Sequence, residues 1–168
     1  MRKRAAVFVL SGLLCGASVL RAQEPAAGNL SPLEFLVGQC WVGRFADGKT
    51  TDEHCFEWKY GRHFIRDHHV VRGADGAQVY EGETLYGWNP ATKEIVWRYV
   101  SIEGLIMDGT VARQDDKLVF PARYPTPAGV TESKAVWTVR PDGYTAVNSV
   151  RSEAGWKEQF RVEFRRKE

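Results

Sequence analysis

The sequence predicts an all-β chain: an antiparallel barrel of about ten strands, entered through a short N-terminal helix. Turn signals recur every eight to fourteen residues from Asp47-Gly48 onward, and the runs between them are rich in Val, Thr, Tyr, Trp and Phe. Those runs share one apolar face. A closed barrel hides such a face and leaves no strand edges, whereas its competitor, a two-sheet sandwich, keeps them.

The first 22 residues read as an export signal. Arg2, Lys3 and Arg4 precede an uncharged stretch from Ala5 to Leu20, and small Ala22 stands beside the expected cleavage point. That stretch is shorter than the ~20 apolar residues a membrane-spanning helix needs. Removing residues 1–22 takes four basic residues and no acid, so the formal charge falls from +2 to −2. Nothing in this balance argues for nucleic acid. The organisation expected is a signal over 1–22, a flexible start over 23–30 and one barrel domain over 31–168. The mature chain is expected in the periplasm or outside the cell, away from the membrane. Its oligomeric state is not legible.

The helix is read from "SPLE". Ser31 serves as N-cap, Pro32 as first helical residue and Glu34 as capping-box partner, with Gly38 ending the helix after Val37. Ten strand-like runs follow, at about 39–46, 49–59, 62–72, 77–88, 93–101, 105–114, 117–122, 130–140, 144–151 and 156–166. The stretch "ARYPTPAG" at 122–129 reads as the one long irregular piece.

Turn chemistry suggests registers. A two-residue turn at Asp47-Gly48 pairs Trp41 with His54 and Cys40 with Cys55. These cysteines are the two outside the signal, in an oxidising compartment, so a disulfide across the first hairpin is expected. Counted from that turn, 40/55 is a hydrogen-bonded pair, which implies some strain in the bridge. A three-residue "KYG" loop pairs Arg66 with His54, a three-residue "ADG" loop pairs His69 with Glu81, and a four-residue "NPAT" loop pairs Glu83 with Arg98. The inward face then carries Trp41, Phe45, Phe56, Trp58, Phe64, Val70, Tyr80, Tyr86, Trp88, Ile95, Trp97 and Tyr99. Opposite charges pair on the wet face: Glu57 with His63, His69 with Glu81, and Glu83 with Arg98. Asp67 falls on that wet face against Glu83. The last strand turns Phe160, Val162 and Phe164 inward.

The segment "LSPLEFLVGQCWVGRF" resembles the opening of calycin-like barrels, in which a short helix leads to a strand with a Gly-x-x-Trp-x-Gly element. "EWKYGRHFIRD" and "ETLYGWNPATKEIVWRYVSIEGLIMDGT" are similar to segments of bacterial calycin-like families of unknown function. The resemblance covers nearly all the mature chain. It implies a lipocalin-like barrel whose tryptophan plugs the bottom, and no agreed activity. The nitrobindins, haem-binding relatives of this barrel, open similarly and hold haem on a histidine late in the chain. Here no histidine follows His69, so that position has no match.

Four histidines stand at 54, 63, 68 and 69. The registers turn His54 and His68 inward and His63 and His69 outward. Two inward histidines with Asp52 fall short of a usual zinc ligand set, and no metal or other cofactor is expected. Arg66 points inward opposite His54, with Thr84 beyond it. It reads either as a cation reaching water at the barrel mouth or as an anion-recognising group at the base of an aromatic cavity. The expected ligand-binding set is His54, Arg66, His68, Thr84, Tyr86, Trp97 and Tyr99, and the aromatics among them read equally as core. No phosphate loop, nucleophile elbow or H-E-x-x-H helix occurs. The function expected is binding of a small, partly apolar ligand. The alternatives are an enzyme built on the interior His/Arg/Asp group and a haem-binding, nitrobindin-like protein.

Overall fold

The computed structural model describes residues 27–127 and 129–168; the expected signal segment and residues 23–26 of the expected flexible start lie outside the described residues, and 27–30 belong to the helix. The chain enters through a 3-10 helix, Ala27–Leu36. The expectation was a helix over 32–37 capped by Ser31. Instead the helix is longer, starts earlier and has the tighter pitch. Leu30, Leu33 and Leu36 explain this: side chains three apart eclipse on one 3-10 face, and all three are buried.

Ten antiparallel strands follow: β1 Gln39–Arg44, β2 Thr51–Lys59, β3 Phe64–Arg72, β4 Gln78–Asn89, β5 Glu94–Ser101, β6 Ile106–Gln114, β7 Lys117–Thr126, β8 Gly129–Arg140, β9 Gly143–Ser152 and β10 Gly155–Arg166. Each pairs with the next, and β1 pairs with β10, closing the barrel. The stretch 122–129 is not irregular: β7 runs to Thr126 and forms a tight hairpin with β8, pairing Pro125 with Val130.

The helix plugs one end of the barrel. Trp41 is buried beneath it, and its Nε1–H donates to the Leu36 carbonyl at 3.0 Å. Phe56, Leu118, Trp137, Tyr144, Val162 and Phe164 complete this core. Trp137 and Phe164 both lie 4.8 Å from the Tyr144 ring. The Tyr144 hydroxyl is fully buried and has no hydrogen-bond partner among the described residues. An unsatisfied buried hydroxyl costs about 1–3 kcal/mol. Tyr144→Phe should therefore raise the urea midpoint, by the equivalent of about 1 kcal/mol. A lower midpoint would show that the hydroxyl is satisfied in solution.

Cys40 and Cys55 are disulfide-bonded across the first hairpin, with Cα atoms 4.1 Å apart. The register is the expected one, but the turn differs. Phe45 N–H donates to the Thr50 carbonyl, closing a four-residue loop in which the Asp47 carboxylate accepts from Lys49 N–H and Thr50 N–H. That makes 45/50 a hydrogen-bonded pair and 40/55 the closer, non-hydrogen-bonded kind, so the pairing that implied strain does not occur. The entropy of a loop this long is worth roughly 3 kcal/mol, and the hairpin already holds part of that order. Replacing both cysteines by serine should lower the unfolding free energy by less than about 3 kcal/mol, with the barrel's circular dichroism retained.

The β2–β3 connection carries the largest correction. Lys59 pairs with Phe64 around a four-residue loop, Tyr60 to His63, in which Tyr60, Gly61 and Arg62 all have positive φ. His54 therefore faces His69 rather than Arg66. An odd slip exchanges the two faces of a strand, so Ile65, Asp67, His69 and Val71 point inward, while Phe64, Arg66, His68 and Val70 point outward. The "ADG" loop is as expected, with Gly73 N–H donating to the Ala77 carbonyl. A bulge between Val71 and Arg72 then shifts β4 by one residue, which restores its expected face. The β4–β5 register moves by two, pairing Glu83 with Val100, and no face changes.

Candidate functional site

Two of the expected site residues leave the interior. Arg66 lies on the outer wall, with its guanidinium 2.8 Å from Glu57 and 2.7 Å from Glu83. His68 is also outside, paired with Glu81 at 2.6 Å. The proposed anion-recognising Arg66 is thereby refuted, because its charge is satisfied by two acids at the water-facing surface. His54, Thr84, Tyr86, Trp97 and Tyr99 do point inward, as expected.

In place of Arg66 the interior holds a chain of buried polar groups. Asp67, 1% exposed, accepts from His54 Nδ1–H at 2.9 and 3.0 Å. His54 Nε2–H donates to one Asp52 oxygen at 3.1 Å, and His69 Nδ1–H donates to the other at 3.0 Å. His69 Nε2 meets the Tyr99 hydroxyl at 3.1 Å, and Tyr99 meets Tyr80 at 2.7 Å. The two imidazoles stack, with centroids 4.6 Å apart. Strand pairing produces this line: β2 supplies Asp52 and His54, β3 supplies Asp67 and His69, and β4 and β5 supply the tyrosines. Gly82, directly across from His69, completes it. A Cβ there would overlap both the Tyr99 hydroxyl and His69 Nε2, so glycine is what lets those two groups meet.

The electrostatics follow from the geometry. Burial pushes the His54 pKa down, but the charges of Asp67 and Asp52 outweigh it and raise it to about 10. His54 is thus an imidazolium at neutral pH, with both N–H groups spent on carboxylates. Burial pushes the Asp52 carboxyl up, but His54 and His69 outweigh it and hold the group well below the usual carboxylate range. Burial raises the Tyr99 phenol above its ordinary value, so it stays protonated.

This polar line forms one wall of a cavity of about 470 Å³. Its other walls are apolar or aromatic: Phe45, Val71, Leu105, Met107, Ala135, Trp137, Ala146, Phe160 and Phe164, with the Asn148 amide across from the histidines. The cavity reaches the end of the barrel opposite the helix, where Phe45 and Phe160 meet edge to face at 5.7 Å. A smaller space of about 120 Å³ shares Tyr99, Met107, Ala135, Trp137 and Asn148 with it and is also bounded by Thr84, Tyr86 and Trp97.

Asp52, His54 and His69 bring ligand-type atoms within 4.8 Å of one another. The set does not suit a metal ion. The rings are tilted by only 15°, so their in-plane lone pairs run side by side and do not converge on one point. His54 has no nitrogen free, and each Asp52 oxygen already accepts from an imidazole. Haem fits no better: both nitrogens of both interior imidazoles already hold protein partners, and an axial ligand needs a free one.

A scan of protein-family models gives no match for the chain. A search of curated proteins also gives none. Among solved structures the chain is similar to the crystal structure of Rv2717c from M. tuberculosis, at 15% sequence identity and a TM-score of 0.57. The match covers 83% of this chain and 98% of that one. At that identity the likeness speaks for the fold, a closed antiparallel barrel consistent with the calycin-like architecture.

Proposed function

We propose that the protein is an exported binding barrel that holds a small, partly apolar molecule in the cavity at its open end. The observation that carries this reading is the cavity itself. Its volume lies in the range of ligand pockets, and its walls are largely apolar around a few converging polar groups. Small barrels are often filled by their own side chains, and this one is filled only at the helix end. The Cys40–Cys55 bridge supports an oxidising compartment. No helix among the described residues is long and apolar enough to cross a membrane.

Native mass spectrometry of protein purified from its own cell envelope tests the reading. A retained small molecule is expected, lost in a variant whose cavity is plugged by Ala135→Trp. A barrel that emerges empty and takes up no neutral fluorescent probe would refute it. A second reading, acid–base catalysis, draws on His69, which Asp52 orients as a general base is oriented in hydrolytic sites. Turnover of a bound ligand, abolished by His69→Gln with binding intact, would favour it.

A further inference from the structure

We infer that the cavity is built for an organic cation: an amine on an apolar body, with its ammonium against Asp52 and Tyr80. This rests on the binding-barrel reading and adds the ligand's chemical class.

The first argument is the charge inventory. Among the described residues, the charged or titratable groups on the cavity wall are Asp52, His54, His69, Tyr80 and Tyr99, and no lysine or arginine lines it. Asp67 stands directly behind His54. The His54 imidazolium is shared between two carboxylates, so one negative charge is left over when His69 is neutral. A carboxylate ligand would bring a further anion into a poorly solvated space with no cation to meet it, which is costly. An ammonium brings the missing positive charge.

The second argument is the direction of the hydrogen bonds. Asp52 only accepts. His69 gives its Nδ1–H to Asp52, so in the neutral ring Nε2 must accept from the Tyr99 hydroxyl. Tyr99 has then spent its proton and accepts from Tyr80. Along the arm from Tyr80 through Tyr99 and His69, every donor runs toward Asp52. What the line offers is acceptors: the Asp52 oxygens' remaining lone pairs and, when Tyr80 donates to Tyr99, the Tyr80 oxygen. Reversing the line so that Tyr80 donates outward would set two imidazolium rings face to face at 4.6 Å. The site therefore asks for a ligand that donates.

The third argument is the aromatic lining. Phe45, Trp137, Phe160 and Phe164 present aromatic surface to the same space, and ring faces attract cations. No step of bond making is involved; the ligand is held by charge, hydrogen bonds and apolar contact.

A matched series separates the possibilities. Octylamine, octanol and octanoate share one tail and differ in the head group. Each would displace N-phenylnaphthylamine, a neutral fluorescent probe, from the purified protein at neutral pH. Octylamine should bind at least about tenfold tighter than octanol, the ratio that one charge-assisted hydrogen bond supplies, and octanoate should bind weakest. Asn148→Lys places a cation across the cavity without touching the Asp52 line, and it should reverse the order so that octanoate binds tighter than octylamine. If the wild-type protein binds octanoate as well as octylamine, or does not tell amine from alcohol, the cation assignment is overturned while the binding barrel stands. If the probe itself does not enter, both fall.

Discussion

Replacing His54 by leucine should lower the unfolding free energy by about 3–5 kcal/mol, the cost of removing one partner from a buried ionic set. The effect is expected to be large because His54 is the shared cation of two acids. Asp67 has only 2% of its side chain exposed and Asp52 only 9%. Without the imidazolium, Asp52 keeps His69, but Asp67 loses the only side-chain partner recorded for it among the described residues. Both carboxylates must then stay charged and uncompensated or take up protons. The accompanying control removes the charges together. In His54→Leu with Asp52→Asn and Asp67→Asn, most of the loss should return, since a neutral set of similar volume is often as stable as the ionic one. Urea unfolding followed by tryptophan fluorescence measures both. A single-variant loss below about 1 kcal/mol would mean that the cluster is hydrated in solution, and the low-dielectric account of the cavity wall would go with it.

How much of this was legible in the sequence turns on parity. The ten strands and the disulfide pairing follow from turn spacing, the closed sheet from the shared apolar face, and the plugging Trp41 from the resemblance that the Gly38–Trp41 opening carries; all agree with the structure. The polar line does not follow, and the residues show why. In β3 the even positions carry Phe64, Arg66, His68 and Val70, and the odd ones carry Ile65, Asp67, His69 and Val71. Each face has two apolar ends and two polar middles, so alternation casts no vote. The face is then decided by the length of the preceding loop alone. That loop places Tyr60 and Arg62 at positive φ, where non-glycine residues are uncommon and turn rules give little guidance. Strands β4 and β5 escaped the error for separate reasons. The Val71/Arg72 bulge undid the slip, and the β4–β5 shift was even. Tyr80, Thr84, Tyr86, Trp97 and Tyr99 were thus read correctly, while Asp67 and His69 were assigned to water. A sequence pattern offered no sign of Gly82 either, because its role is defined by what approaches it from β3 and β5.

The same cluster should make stability fall with rising pH well below the range in which lysines and tyrosines titrate. His54 has a pKa of about 10 in the fold against 6.5 unfolded. A raised pKa means that the folded state holds its proton more tightly. The contribution is therefore complete below pH 6.5 and is lost progressively as pH climbs toward 10. Each pH unit in that window removes up to about 1.4 kcal/mol. Asp52 acts in the opposite sense. Its carboxyl is depressed in the fold, so its contribution is present above 3.8 and is lost as pH falls below that value. Together they set a plateau of maximal stability in mildly acidic solution. Urea midpoints at intervals across pH 6 to 9 should decline steadily in the wild-type protein, and the window stops short of the tyrosines. The variant carrying His54→Leu, Asp52→Asn and Asp67→Asn should be nearly flat over the same range. His63 in the β2–β3 loop and His68 on the outer wall are common to both proteins, and the His68–Glu81 pair at the surface contributes little. The difference between the two curves thus isolates the interior. A wild-type profile as flat as that of the triple variant would show that His54 does not hold its proton between Asp52 and Asp67. The directionality of the hydrogen-bond line, and the preference for a donating cation that follows from it, would then lose their footing.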